Sequence, residues 1–170
     1  MTPARLANIA AFYLERFSAS ESHLRAVLTR RIRRDLTRRD ELTPARLAEA
    51  VSWLETEIAK LKRNGLVDDV AYAQGRAARD RRLAKAPTRT RAALRAKGVA
   101  ATVAADATRD ETGEAEWAAA VALARRRRLG PYRKTDRDAD SDRRDLAALA
   151  RGGIGFATAK RLMALTEPPA

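Results

Sequence analysis

Leu94-Arg95-Ala96-Lys97-Gly98-Val99 and Leu149-Ala150-Arg151-Gly152-Gly153-Ile154 are two copies of one phrase. In each, a helical pattern runs into a glycine, an apolar residue follows, and a second helical pattern begins. A weaker copy without the glycine, Leu28-Thr29-Arg30-Arg31-Ile32, lies nearer the start. Glycine just past a helix adopts the left-handed conformation without a Cβ clash, so it stops one helix and redirects the chain. A recurring helix–Gly–apolar–helix unit marks tandem repeats that bury their apolar faces against neighbours. The predicted fold is therefore all-α, an elongated tandem array of three-helix repeats. That architecture offers a binding surface in place of an enzyme cleft.

Working outward, Leu6, Ile9, Ala10, Tyr13, Leu14 and Phe17 form one apolar stripe and predict a helix from Pro3 to about Phe17. Ser18-Ala19-Ser20-Glu21 has the form of a capping box, with Ser18 as cap, opening a helix that carries Leu24, Val27, Leu28 and Ile32. Residues 33–42 are charged and read as a loop or frayed extension. Thr43-Pro44 starts a helix with Leu47, Val51, Leu54, Ile58 and Leu61 inward, and Asn64-Gly65 ends it. Val70, Tyr72, Ala73, Ala77 and Leu83 mark the next helix, and Pro87 opens the one ending at Lys97-Gly98. A short helix over 99–110 and a longer one over 114–128 follow, stopped by Gly130-Pro131. No run alternates with the period of a strand. Three helices per unit divide the chain into repeats at 1–66, 67–112 and 113–170, with a mobile linker at about 132–144.

The charge balance is as informative as the periodicity. Thirty-five Lys and Arg stand against 22 Asp and Glu, a net charge of +13, which predicts attraction to nucleic acid or an acidic protein surface. Three basic clusters carry it: Arg30 to Arg39; Arg76 to Lys85; and Arg125 to Arg128 with Arg133-Lys134. With no cysteine there is neither a disulfide framework nor thiolate chemistry, which suits a reducing cytosol. No apolar run is long enough to span a bilayer and no signal-peptide core follows Met1, so a soluble cytoplasmic protein is expected. The 45% hydrophobic fraction leans on alanine, which predicts thin cores.

Few residues suggest chemistry. Asp68 and Asp69 read either as a carboxylate pair or as helix caps; without a companion His, Cys or acidic cluster, caps are favoured. Asp136-x-Asp138-x-Asp140 opens like a calcium loop, but Ser141 and Ala147 stand where its glycine and bidentate glutamate belong. His23 is the sole histidine, has no partner for a metal site or triad, and reads as a helix-surface residue. Trp53, Trp117, Tyr13 and Tyr72 sit on or beside apolar stripes and read as core, Trp53 one step off its stripe. No catalytic residue, metal or cofactor is expected.

Several segments are similar to those of the RecX family of bacterial RecA regulators. Gly65-Leu66-Val67-Asp68-Asp69-Val70-Ala71-Tyr72-Ala73 resembles the family's Gly-Leu-(Leu/Ile/Val)-Asp-Asp-x-x-(Phe/Tyr)-Ala junction. Leu94 to Val99 resembles its Leu-x-x-Lys-Gly-(Ile/Val), and Leu149 to Ile154 its C-terminal Leu-x-x-Arg-Gly-Phe, with Gly152 and Ile154 as departures. Tyr13-Leu14 through His23-Leu24-Arg25 resembles the N-terminal motif, His23 replacing an acidic residue. A further departure is Ala84-Lys85-Ala86-Pro87, where the family usually has glycines around the lysine.

The resemblance runs over nearly the whole chain, and implies three tandem three-helix repeats that bind the RecA recombinase filament. It implies inhibition of RecA ATP hydrolysis, filament extension and strand exchange without catalysis by the chain itself. On that reading the protein is a monomer, with single- or double-stranded DNA as a further possible partner and no membrane. The filament or DNA contacts are assigned to Arg76, Arg79, Arg82, Lys85, Arg95 and Lys97, then Arg125, Arg126, Arg127 and Arg128. The alternatives are a sequence-nonspecific DNA-binding protein acting without RecA, and an enzyme such as a nuclease, disfavoured by the absence of a phosphate loop or carboxylate–histidine arrangement.

Overall fold

A computed structural model describes residues 1–169. The chain is all-α: α1 Pro3–Arg16, α2 Glu21–Arg38, α3 Pro44–Arg63, α4 Asp69–Arg82, α5 Pro87–Ala96, α6 Ala101–Ala107, α7 Glu114–Arg127, α8 Ala139–Arg151 and α9 Phe156–Met163. A 3-10 turn at Gly130–Tyr132 completes the regular structure, and no strand occurs among the described residues. Contacts gather into two compact units, each built from two stretches of chain. The first is Met1–Ala73 with Arg95–Val103; the second is Gln74–Leu94 with the chain from Ala104 onward.

The first unit is organised by two straight stripes. Leu24, Leu28, Ile32 and Leu36 follow one another every four residues along α2, and Ala50, Leu54, Ile58 and Leu61 run along α3. Leu6 and Ala10 of α1 and Val67 join the same core, with Tyr13, Leu14 and Trp53 half-buried against it. Burying each large aliphatic side chain contributes about 2 kcal/mol, so this cluster dominates the unit's stability. Phe17 departs from its predicted stripe and is 55% exposed. The reason is local: α1 stops at Arg16, and extended backbone at Phe17 turns its ring away. Residues 33–38, which read from their charge as a loop or frayed extension, are regular helix because Ile32 and Leu36 continue the buried stripe. Arg5 and Arg39 meanwhile pair with Asp35.

The cap of α2 is Ser20, not Ser18. Its hydroxyl oxygen accepts from the amide of His23 and its O–H donates to the carbonyl of Lys97. The amide of Glu21 donates to Asp69 Oδ1 at 2.7 Å. Asp68 caps its own helix, accepting from the amides of Val70 and Ala71. The Asp-Asp pair thus starts two different helices, α4 and α2.

The second unit is packed more thinly. Half of its buried cluster is alanine, at positions 86, 119, 120, 124, 148 and 159, around Leu123, Leu149, Ile154 and Leu162. Trp117 is half-buried against this cluster with the Arg161 guanidinium 4.3 Å over its ring. Val70 and Leu83, which mark this helix in the sequence, are about half exposed, and Leu83 lies just past the end of α4; the buried residues of α4 are Ala73, Ala77 and Asp80.

The stretch predicted as a mobile linker departs most from expectation. Residues 139–144 belong to α8, whose start is a capping box in which Asp138 accepts from the Ser141 amide and Ser141 Oγ accepts from the Asp138 amide. The residues before it are tethered. Arg133 donates to buried Asp145 at 2.6 Å, and Arg137 to Asp142 and to the carbonyls of Met163 and Leu165. Charge in this stretch is spent on internal hydrogen bonds, which is why it looked aperiodic.

Ala84 has φ +47°, a left-handed conformation that costs a residue with a Cβ about 1 kcal/mol. Ala84→Gly should therefore raise the urea midpoint, by about 1 kcal/mol of stability; an unchanged or lower midpoint would contradict the strain.

Candidate functional site

Glycines of the repeated phrase also shape the surface. Gly98 and Gly153 have φ +78° and +86°, so both occupy the predicted left-handed position. Each turn packs against the start of another helix. In the first unit Ser22 of α2 lies over Gly98; in the second Thr88 and Arg89 of α5 lie over Gly153. A hydroxyl seals each contact: Ser20 Oγ donates to the Lys97 carbonyl, and Thr88 Oγ1 to that of Gly153.

Around the Gly153 turn the second unit forms a groove of about 1160 Å³. Its floor is small and apolar, from Ala92, Ala93, Ala119, Leu123 and Ile154. Its walls bear six cations, Arg76, Lys85, Arg89, Arg126, Arg127 and Arg151, against a single carboxylate, Asp80. Asp80 is 1% exposed and anchors one wall: Arg76 Nε and Lys85 Nζ each donate to it at 2.8 Å, and Thr90 Oγ1 at 3.3 Å. Burial alone pushes the Asp80 carboxyl upward. The hydrogen bonds from Lys85 and Arg76 outweigh that effect and hold it below the ordinary carboxylate value. Asp80 is therefore ionised at neutral pH and orients two cations without neutralising the groove. Arg89, Arg126, Arg127 and Arg151 are exposed and make no ion pair among the described residues.

Replacing Asp80 with asparagine should cost about 2 kcal/mol at neutral pH by leaving these donors without an anion. Because the folded pKa is lowered, the unfolded chain binds the extra proton as pH falls. Asp80's contribution is then complete above about pH 5 and fades below about pH 4. Urea melts of the parent and Asp80→Asn should converge in acid; a gap independent of pH would refute the assignment.

Of the residues assigned from sequence, the groove brings together Arg76, Lys85, Arg126 and Arg127. Arg79 and Arg82 are exposed on α4 but do not line it. Arg125 lies with Trp117 and Val121 at a separate shallow depression, and Arg128 is the left-handed cap of α7, φ +55°. Arg95 and Lys97 belong to the first unit. Arg95 is exposed, whereas Lys97 is half-buried with its ammonium 3.4 Å from both ring nitrogens of His23. Burial first, then Lys97 and Arg30, hold the His23 imidazole below its ordinary pKa. Arg89 and Arg151 were missed. Arg151 stands inside the repeated phrase itself, outside the three basic runs.

Among the described residues no three His, Asp or Glu side chains converge as a metal site, and no helix is long and apolar enough to cross a membrane. Fold and groove define an all-helical protein that presents concentrated positive charge in a small-residue cleft. No family model matches the chain. It is 41% identical over 165 residues to Regulatory protein RecX of Myxococcus xanthus (strain DK1622), covering 96% of this chain and 86% of that one. It is 28% identical over 163 residues to Regulatory protein RecX of Agrobacterium fabrum (strain C58 / ATCC 33970), covering 96% and 84%. The chain belongs to the RecX family of regulatory proteins. Two crystal structures share its fold: a regulatory protein RecX (TM-score 0.68, 23% identity, 94% of this chain and 70% of that one) and RecX from Lactobacillus salivarius (0.64, 18%, 95% and 94%).

Proposed function

We propose that this chain is a negative regulator of RecA that binds the RecA–DNA filament and opposes its ATP turnover, extension and strand exchange. The groove supports the reading: four unpaired arginines around a small-residue floor attract an anionic partner, and the apolar floor gives that partner packing as well as charge. Membership of a family of regulatory proteins supplies the biological class, and RecA is the target that its sequence motifs imply. The chain acts by occupancy, without a reaction of its own, as a monomer in the cytoplasm.

Substoichiometric protein should slow RecA ATP hydrolysis on single-stranded DNA. Unchanged ATPase and strand exchange at excess protein would refute the proposal. The second reading, binding to DNA alone, draws on the unpaired arginines of the groove; retention on DNA but not on DNA-free RecA would favour it.

A further inference from the structure

The first unit carries a second cleft, between α1 and α2, that the RecA reading does not use. Its volume is about 720 Å³, and no carboxylate lines it. Its apolar part is unusual for exposed surface: Phe12 is 58% and Phe17 55% exposed, with Ile9, Tyr13 and Val27 between them. Its charged part comprises Arg5, Arg16, Arg30, Arg31 and Arg34. Arg5 is paired with Asp35, whereas Arg30, Arg31 and Arg34 make no ion pair among the described residues.

Aromatics with arginines suit either stacked bases or an acidic peptide, and ring geometry separates these. Base stacking needs open ring faces. The Arg16 guanidinium lies 4.7 Å over the Phe12 ring, and Tyr13 and Phe17 tilt 41° to one another at 5.2 Å. Ile9 and Val27 have no π-face at all. What remains is an aliphatic and aromatic well fringed by guanidinium groups, the form of a helix-in-groove site for an acidic partner.

We propose that the α1–α2 cleft docks an acidic amphipathic peptide segment, placing its bulky apolar side chains against Phe12, Phe17 and Val27 and its carboxylates against Arg30, Arg31 and Arg34. Guanidinium groups pair with carboxylates in a bidentate, planar geometry, which suits Arg30, Arg31 and Arg34 to the acidic side of such a segment. The proposal stands independently of the RecA reading.

The test is fluorescence anisotropy on the full chain with three labelled probes. One is an acidic helical peptide of about 16 residues, roughly four turns, with Leu and Phe on one face. The others are a peptide of the same composition with those residues scattered around the helix, and an oligothymidylate. The one-faced peptide should bind about tenfold more tightly than the scattered one. Phe12→Ala with Phe17→Ala should remove that preference and leave helicity and oligothymidylate binding unchanged, since both rings are largely solvent-exposed. Arg30→Gln with Arg34→Gln should weaken both peptides. Absent peptide binding at about 100 μM, equal binding of the two peptides, or unchanged affinity in the phenylalanine variant would each overturn the proposal. So would oligothymidylate binding that falls with the two phenylalanines, which would assign the cleft to single-stranded nucleic acid.

Discussion

Gly98→Ala should destabilise the first unit strongly, costing about 3 kcal/mol and roughly 10 °C in Tm. Two effects combine. The residue has φ +78°, where a Cβ costs about 1 kcal/mol, and that Cβ would stand 2.3 Å from Ser22 Cβ and 2.2 Å from its Oγ. Rotating the serine moves the oxygen but not the carbon, so α2 or the turn must shift, with an overpacking cost of about 2 kcal/mol. Two other glycines separate these effects. Gly65 has φ +68° with open space around it, so Gly65→Ala should cost only about 1 kcal/mol. Gly75 lies in α4 with nothing near, and Gly75→Ala should stabilise by about 0.5 kcal/mol. If Gly98→Ala costs no more than Gly65→Ala in urea melts, the close approach to α2 is wrong.

On the proposed function, Arg126→Ala with Arg127→Ala should weaken filament inhibition and DNA binding about tenfold at moderate salt, because each phosphate contact that reading assigns carries one share of counterion release. The salt dependence should flatten at the same time, by a log–log slope of about 0.7 per residue on single strands. Both side chains are exposed at the end of α7, so helicity should persist. The matched control is Arg143→Ala with Arg144→Ala. Arg143 makes only a 3.4 Å pair with Asp140, and Arg144 donates to a carbonyl of its own helix. Arg137 is unsuitable as a control, since it ties Asp142 of α8 to the carbonyls of Met163, at the end of α9, and Leu165. Equal losses in both double variants would mean that total charge, and not the groove, governs binding.

Elements with a buried stripe of large side chains were legible at once. The alternation through Leu54, Ile58 and Leu61 placed α3 almost to the residue, and the two glycines of the repeated phrase announced their left-handed turns. What failed was reading charge as loop, frayed end or linker. Residues 33–38 and 139–144 are helical because buried positions at Leu36 and Asp145 continue beneath a charged exterior. No local pattern distinguishes Asp145 from a solvated aspartate until Gly130 and Arg133 arrive from 15 and 12 residues away. The groove was half legible. Charge runs flagged Arg76, Lys85, Arg126 and Arg127, but Arg89 and Arg151 lie outside those runs and join them because α5 packs on the Gly153 turn.

The way α2 begins has a consequence for the nascent chain. Its opening amide, at Glu21, donates to Asp69, 48 residues downstream, and its capping hydroxyl, Ser20, is held by the Lys97 carbonyl, 77 residues downstream. While the chain emerges from the ribosome, α2 can wind on its leucine stripe, but its opening amide waits on water until α4 appears. The Ser20 clasp waits longer still, until the Lys97-Gly98 turn clears the exit tunnel. Translation therefore delivers the first unit incomplete and closes it only after residues 74–94, which belong to the other unit, have already emerged.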